Sequence, residues 1–102
     1  MKSINIFLLF LLSLPAVADD AESNPLAQKL KVIIQKQISN QDLHGYCDLF
    51  IEMIHQDSVA IVKRVSSTGD YQLCKSSIKS LRIGQRFTYV VPEKYIRLHI
   101  EN

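Results

Sequence analysis

Cys47 and Cys74 are the residues whose type and spacing most restrict what chemistry the chain can do. Three chemistries are open to such a pair: a structural disulfide, a redox couple, or part of a metal site. A redox couple needs its cysteines close together, as in Cys-x-x-Cys, and these two are far apart. A metal site needs further ligands, and His44, His55 and His99 are scattered along the chain. The structural disulfide is therefore favoured over the other two, given export to an oxidising compartment. It would close a loop of roughly 30 residues and contribute about 3–4 kcal/mol.

Other reactive constellations are missing from the sequence. It contains no phosphate-binding glycine loop, HExxH or GxSxG. Asp48 and Glu52 share a strand face and read as solvated. The expectation is a protein that is not an enzyme, with no catalytic residue, no metal and no cofactor. Two groups of residues are instead candidates for contact with a partner. Lys75, Lys79, Arg82 and Arg86 form a basic stripe, either a solvated face or a surface for an acidic partner or anionic lipid. Phe50 and Ile54 lie on the strand face opposite Cys47, where a one-sided sheet should be polar. Either a second layer covers them or they form a partly exposed sticky patch, and partial exposure is the expectation. Phe50, Ile54, Lys75, Lys79 and Arg82 are thus the expected partner-binding surface.

The elements that must hold these residues can be read from 102 residues with a net charge of +2 and a hydrophobic share of 47%. That share is too high for a disordered chain, and the length allows one domain. Near-neutral charge argues against a nucleic-acid binder that relies on a basic field. Residues 1–18 have the pattern of a cleaved signal peptide. Lys2 supplies a positive start, an apolar run extends from Ile4 to Leu14, and Ala16-Val17-Ala18 matches a small-x-small cleavage site. The apolar run is well short of the ~20 residues a membrane span requires. The mature chain is therefore expected to be exported, to the periplasm in a Gram-negative cell, without a stable membrane anchor. Residues 19–25 read as a short disordered leader, and residues 26–102 as the domain.

Asn24 suits a helix N-cap and Pro25 the first helical position. Leu26, Leu30, Ile33, Ile34 and Ile38 then fall on one face, which predicts a helix over residues 25–39. Residues 46–55 alternate, with Cys47, Leu49, Ile51 and Met53 on one apolar face. A turn at Gln56-Asp57 leads to a return strand over 59–65, and residues 66–70 read as a loop. Asp70 can cap a second helix over 71–82, with Leu73, Cys74, Ser77, Ile78 and Leu81 on its apolar stripe. Cys47 and Cys74 then both face the core, where a bridge would tie helix to sheet. Residues 85–92 are ambiguous between a connector and a short strand. A last strand over 93–100 places Ile96, Leu98 and Ile100 on one face. The predicted class is α+β, in the order α-β-β-α-β, with helices on one face of a three-stranded antiparallel sheet.

This pattern resembles the C-terminal periplasmic domain of TolA, the energy-transducing component of the Tol–Pal envelope system, and the related TonB C-terminal fold. The resemblance covers residues 26–102. It rests on the helix LAQKLKVIIQKQI, on Gly45-Tyr46-Cys47, on Leu49-Phe50-Ile51, and on Gly69-Asp70-x-x-Leu73-Cys74. In that family the two matching cysteines form a disulfide, which implies one between Cys47 and Cys74. The residues around the hairpin (His55-Gln56-Asp57-Ser58) and after the second cysteine (Lys75-Ser76-Ser77) depart from the family. The resemblance implies protein partners: the Tol–Pal component TolB, group A colicins or filamentous phage coat proteins, some of them bound by an added strand at a sheet edge. It implies a fold and a style of binding, and not the coupling of proton-motive force. The alternative reading is a periplasmic immunity or inhibitor protein that neutralises a secreted toxin.

Overall fold

Asn24 starts the first long helix through its side chain. Its Oδ1 accepts from the amides of Leu26 (2.9 Å) and Ala27 (3.1 Å), two of the donors a helix start leaves unpaired. Pro25 occupies the first position, where a missing N–H has no cost. In the computed structural model, which describes residues 19–102, helix α1 runs Pro25–Ile38 and buries Leu26, Ala27, Leu30, Ile34 and Ile38. The proposed signal over residues 1–18 lies outside the described residues.

Strand β1 (Tyr46–Gln56) and strand β2 (Val59–Gly69) form a long antiparallel hairpin. Its turn residues are Asp57 (φ 50°) and Ser58 (φ 67°), one residue later than the sequence predicts. Two successive positive φ values match the twist of a two-residue hairpin. The register explains why serine is accepted there. A one-residue slip would turn Cys47, Leu49, Ile51 and Met53 from the core to the other face. The ladder is irregular between Glu52 and Met53, where Arg64 pairs with Glu52 and Val62 with Met53. Lys63 is the extra residue of this β-bulge. β2 also extends through residues 66–69, which the sequence reads as a loop. Ser66, Ser67 and Thr68 carry no apolar signal, but they pair with Phe50, Leu49 and Asp48.

Helix α2 (Tyr71–Lys79) is capped by Asp70, whose Oδ2 accepts from the Leu73 amide at 2.9 Å. It is shorter than the expected 71–82. The amides of Ser80 and Leu81 bond three residues back, to Ser77 and Ile78, and the chain leaves the helix. Strand β3 (Arg86–Thr88) then pairs with Val59, Ala60 and Ile61. The connector to strand β4 (Tyr95–Glu101) crosses the hairpin end. There the His55 ring meets the Tyr89 ring edge-on at 4.7 Å, and its Nε2 accepts from the Glu93 amide at 3.3 Å.

The molecule is α+β, with two helices on one face of a four-stranded antiparallel sheet of order β3-β2-β1-β4. The predicted three strands are corrected to four. β3 is too short to show a period and lies close to Pro92, so only its pairing with β2 reveals it. Ile96, Leu98 and Ile100 of β4 pack with Leu49, Ile51 and α1 in one core. Cys47 and Cys74 form a disulfide that ties β1 to α2, with Cα atoms 5.2 Å apart, inside the usual range for such bridges.

Candidate functional site

A sheet of this order ends on one side at β4 and on the other at β3, with β2 uncovered beyond the short β3. Which backbone groups point outward follows from the ladder. Met53 donates to the Lys94 carbonyl, so odd-numbered β1 residues bond toward β4 and even-numbered ones toward β2. The bond from the Asp70 amide to the Tyr46 carbonyl fits the same alternation. Thr68 and Ser66 therefore bond inward to Asp48 and Phe50, and Val65 and Ser67 direct their amides and carbonyls outward. Among the described residues nothing bonds to those outward groups. This open stretch, residues 63–69, is bounded at both ends. At one end Gly84 donates to the Val62 carbonyl (2.7 Å) and Val62 to the Gln85 carbonyl (2.9 Å). At the other, Gly69 (φ 135°) turns into α2 so tightly that a Cβ there would lie 2.4 Å from the Tyr46 carbonyl oxygen.

Beside this edge lies a groove of about 320 Å³ between Ser67 of β2 and Tyr71, Cys74, Lys75, Ile78 and Lys79 of α2. The spacing of the α2 residues is that of one helix face. The groove floor is apolar and no carboxylate lines it. Tyr71 is 70% exposed, and the Lys75 ammonium sits 5.9 Å from its ring centroid. Neither Lys75 nor Lys79 forms an ion pair among the described residues.

The β4 edge is different. The acidic stretch at 19–24, expected as a disordered leader, forms a 3-10 turn over Asp20–Glu22 that contacts β4. Asp20 Oδ2 accepts from the Arg97 amide at 2.8 Å, an outward group of that edge. Asp19 caps the turn through the Ala21 amide and forms an ion pair with Lys31 of α1. Burial works to raise the Asp19 pKa. The Lys31 ammonium and the amides of Ala21 and His99 outweigh burial and hold it below the usual carboxylate value.

The sequence-derived surface does not assemble as one patch. Lys75 and Lys79 line the groove. Arg82 lies beyond the shortened α2, in the turn that closes one end of the open edge, and Arg86 is in β3. Phe50 (41% exposed) and Ile54 (37% exposed) are on the opposite sheet face, because the pleat sends their odd-numbered neighbours into the helix-covered core. The sequence reading missed the outward amides of Val65 and Ser67. Ser66, Ser67 and Thr68 show no apolar alternation, so no signal in the sequence marked them as strand.

On the face shared with Phe50, His99 Nδ1 is 2.6 Å from Asp48 Oδ1, and Nε2 is 3.6 Å from Glu101 Oε2. The Tyr46 ring stacks on it with centroids 5.8 Å apart. The hydrogen bond to Asp48 raises the His99 pKa against the opposing effect of burial, and the charges of Asp48 and Glu101 add to the rise. Both ring nitrogens are thus directed at carboxylates. Among the described residues, no group of three His, Cys, Asp or Glu is placed to hold a metal ion. No helix among them is long and apolar enough to cross a membrane. Comparison of the chain with family models, curated proteins and solved structures gives no match.

Proposed function

We propose that this protein is a non-enzymatic binding module of the cell envelope that takes an extended segment of another protein as an added strand along residues 63–69 of β2. The observation that carries this reading is the row of outward Val65 and Ser67 backbone groups without a partner among the described residues. Such groups are a template for strand addition. The apolar groove beside them gives a bound segment a place for a side chain. The signal-like residues 1–18 and the disulfide support export to the periplasm. The likeness to the TolA C-terminal domain makes TolB, a colicin or a phage coat protein the first partners to try.

Site-specific photo-crosslinking in cells tests this. A photoreactive residue at Ser66, beside the open edge, is expected to trap a partner that is lost when Ser67→Pro is added. Proline at that position removes an outward N–H and leaves the β1 ladder intact. Crosslinks from Arg97 on β4 with none from Ser66 would overturn the assignment. A Tol–Pal component among the adducts would support the TolA-like reading, and a toxin domain the inhibitor reading.

A further inference from the structure

The lining of the β2 groove carries information about what enters it, and the following rests on the edge reading just given. We infer that the segment taken up is acidic: an extended peptide that places an aliphatic or aromatic side chain between Tyr71 and Ile78, with Asp or Glu beside it facing Lys75 and Lys79.

The length of the site is fixed by its ends. The turn at residues 82–85 blocks pairing at Val62, and Gly69 leads into α2. An incoming strand therefore has only residues 63–69 to pair with, a short segment rather than a whole sheet. Strand geometry sends its alternate side chains to the α2 side. Those side chains meet an apolar floor formed by Cys74 and Ile78, and then a rim formed by Lys75 and Lys79. Lys75 is additionally held over the Tyr71 ring. With no carboxylate in the groove and no ion-pair partner for either lysine among the described residues, the positive rim is available to an acidic side chain.

The same charges argue against a second copy of this chain as the occupant. Pairing two β2 edges antiparallel about Ser66 would set the two α2 helices side by side and bring their lysine rims together. Like charges across an interface oppose association. An acidic, apolar-centred strand relieves that repulsion, while its backbone supplies the bonds that Val65 and Ser67 lack.

Selection of a yeast-displayed random twelve-residue peptide library on the purified protein tests this directly. The selected peptides are expected to be net acidic around a single large apolar residue. Replacing their Asp and Glu by Asn and Gln should weaken binding about tenfold, as two rim ion pairs would provide. Lys75→Glu with Lys79→Glu, both at exposed helix positions, should abolish the acidic preference while circular dichroism stays that of the parent. Neutral or basic peptides that still lose binding on Ser67→Pro would overturn the acidic inference and leave the edge reading standing. Peptides indifferent to Ser67→Pro, or no selected peptide at all, would overturn both.

Discussion

The two edges of the sheet are treated in opposite ways. Along β4, carboxylates from the segment before α1 occupy the outward side, with Asp20 on the Arg97 amide and Asp19 beside it in an ion pair with Lys31. Along β2, the outward groups of Val65 and Ser67 meet no such cover among the described residues, and the flanking charges are basic. An exposed strand edge invites association, and proteins usually blunt it. Blunting at one edge and openness at the other give the sheet a direction: approach by a strand is discouraged at β4 and possible at β2. The side chains also differ in origin. The β4 cover comes from residues that precede the first helix, whereas the β2 groove is built by a helix fastened to the sheet through a disulfide.

That fastening gives the largest expected effect. Cys47→Ala with Cys74→Ala should lower stability by about 3–4 kcal/mol and the Tm by roughly 15 °C or more. In hydrogen exchange, α2 amides should lose protection before the Arg97 amide does. Equal loss on both sides would show that the bridge supports the whole fold and not the groove in particular. Next is the tight approach at the end of the open edge. Gly69→Ala, with its Cβ 2.4 Å from the Tyr46 carbonyl oxygen at a positive φ, should cost about 2 kcal/mol in urea unfolding.

Removing the cover from the other edge should have a smaller effect. Asp20→Ala takes away the acceptor for the Arg97 amide, for about 1 kcal/mol. It should also raise self-association in sedimentation velocity, because a second edge then stands open. Asp20→Asn, which keeps an acceptor oxygen, should change association less. If Asp20→Ala leaves both measurements unchanged, the contrast between the edges fails.

The smallest effects are in the pH response. Asp19 has a folded pKa below its ordinary 3.8. Its contribution is therefore complete above pH 3.8 and lost as pH falls through the lower folded value. The β4 cover should loosen in acid, seen as faster Arg97 amide exchange after correction for the intrinsic rate. His99 has the opposite sign. Its folded pKa is raised above 6.5, so its contribution is complete below 6.5 and lost as pH rises through the folded value. The stability difference between the parent and His99→Gln should shrink as pH rises through that range.

Much of the helix-covered side was legible from the residues. The alternation of Cys47, Leu49, Ile51 and Met53, the caps Asn24 and Asp70, and the triplet Ile96, Leu98 and Ile100 each bury a face, so burial writes a period into the sequence. The end of β2 beyond the bulge and the segment before α1 bury little and write none. Ser66, Ser67 and Thr68 resemble a loop because the solvent-facing part of an edge strand needs no apolar residues. Asp19 and Asp20 resemble a leader because their partners, Lys31 and the Arg97 amide, are distant in sequence. The turn at Asp57 and Ser58 lacks the glycine that would have marked it. The candidate site was therefore half visible: its lysines could be read, and the backbone groups they flank could not.

The extra residue in β2 also bears on how an approaching chain first senses the molecule. Successive side chains of a regular strand diverge to opposite sides, yet Lys63 and Arg64 both reach one carboxylate, Glu52, at 3.8 and 3.4 Å. The bulge makes this convergence possible, and it concentrates two cations on one shoulder, where the short third strand gives way to bare backbone. Glu52 offsets one of these charges. The shoulder therefore keeps a single net positive charge that favours a negatively charged chain once it comes within about 8 Å. A local irregularity in the ribbon thereby biases the end at which a segment first docks.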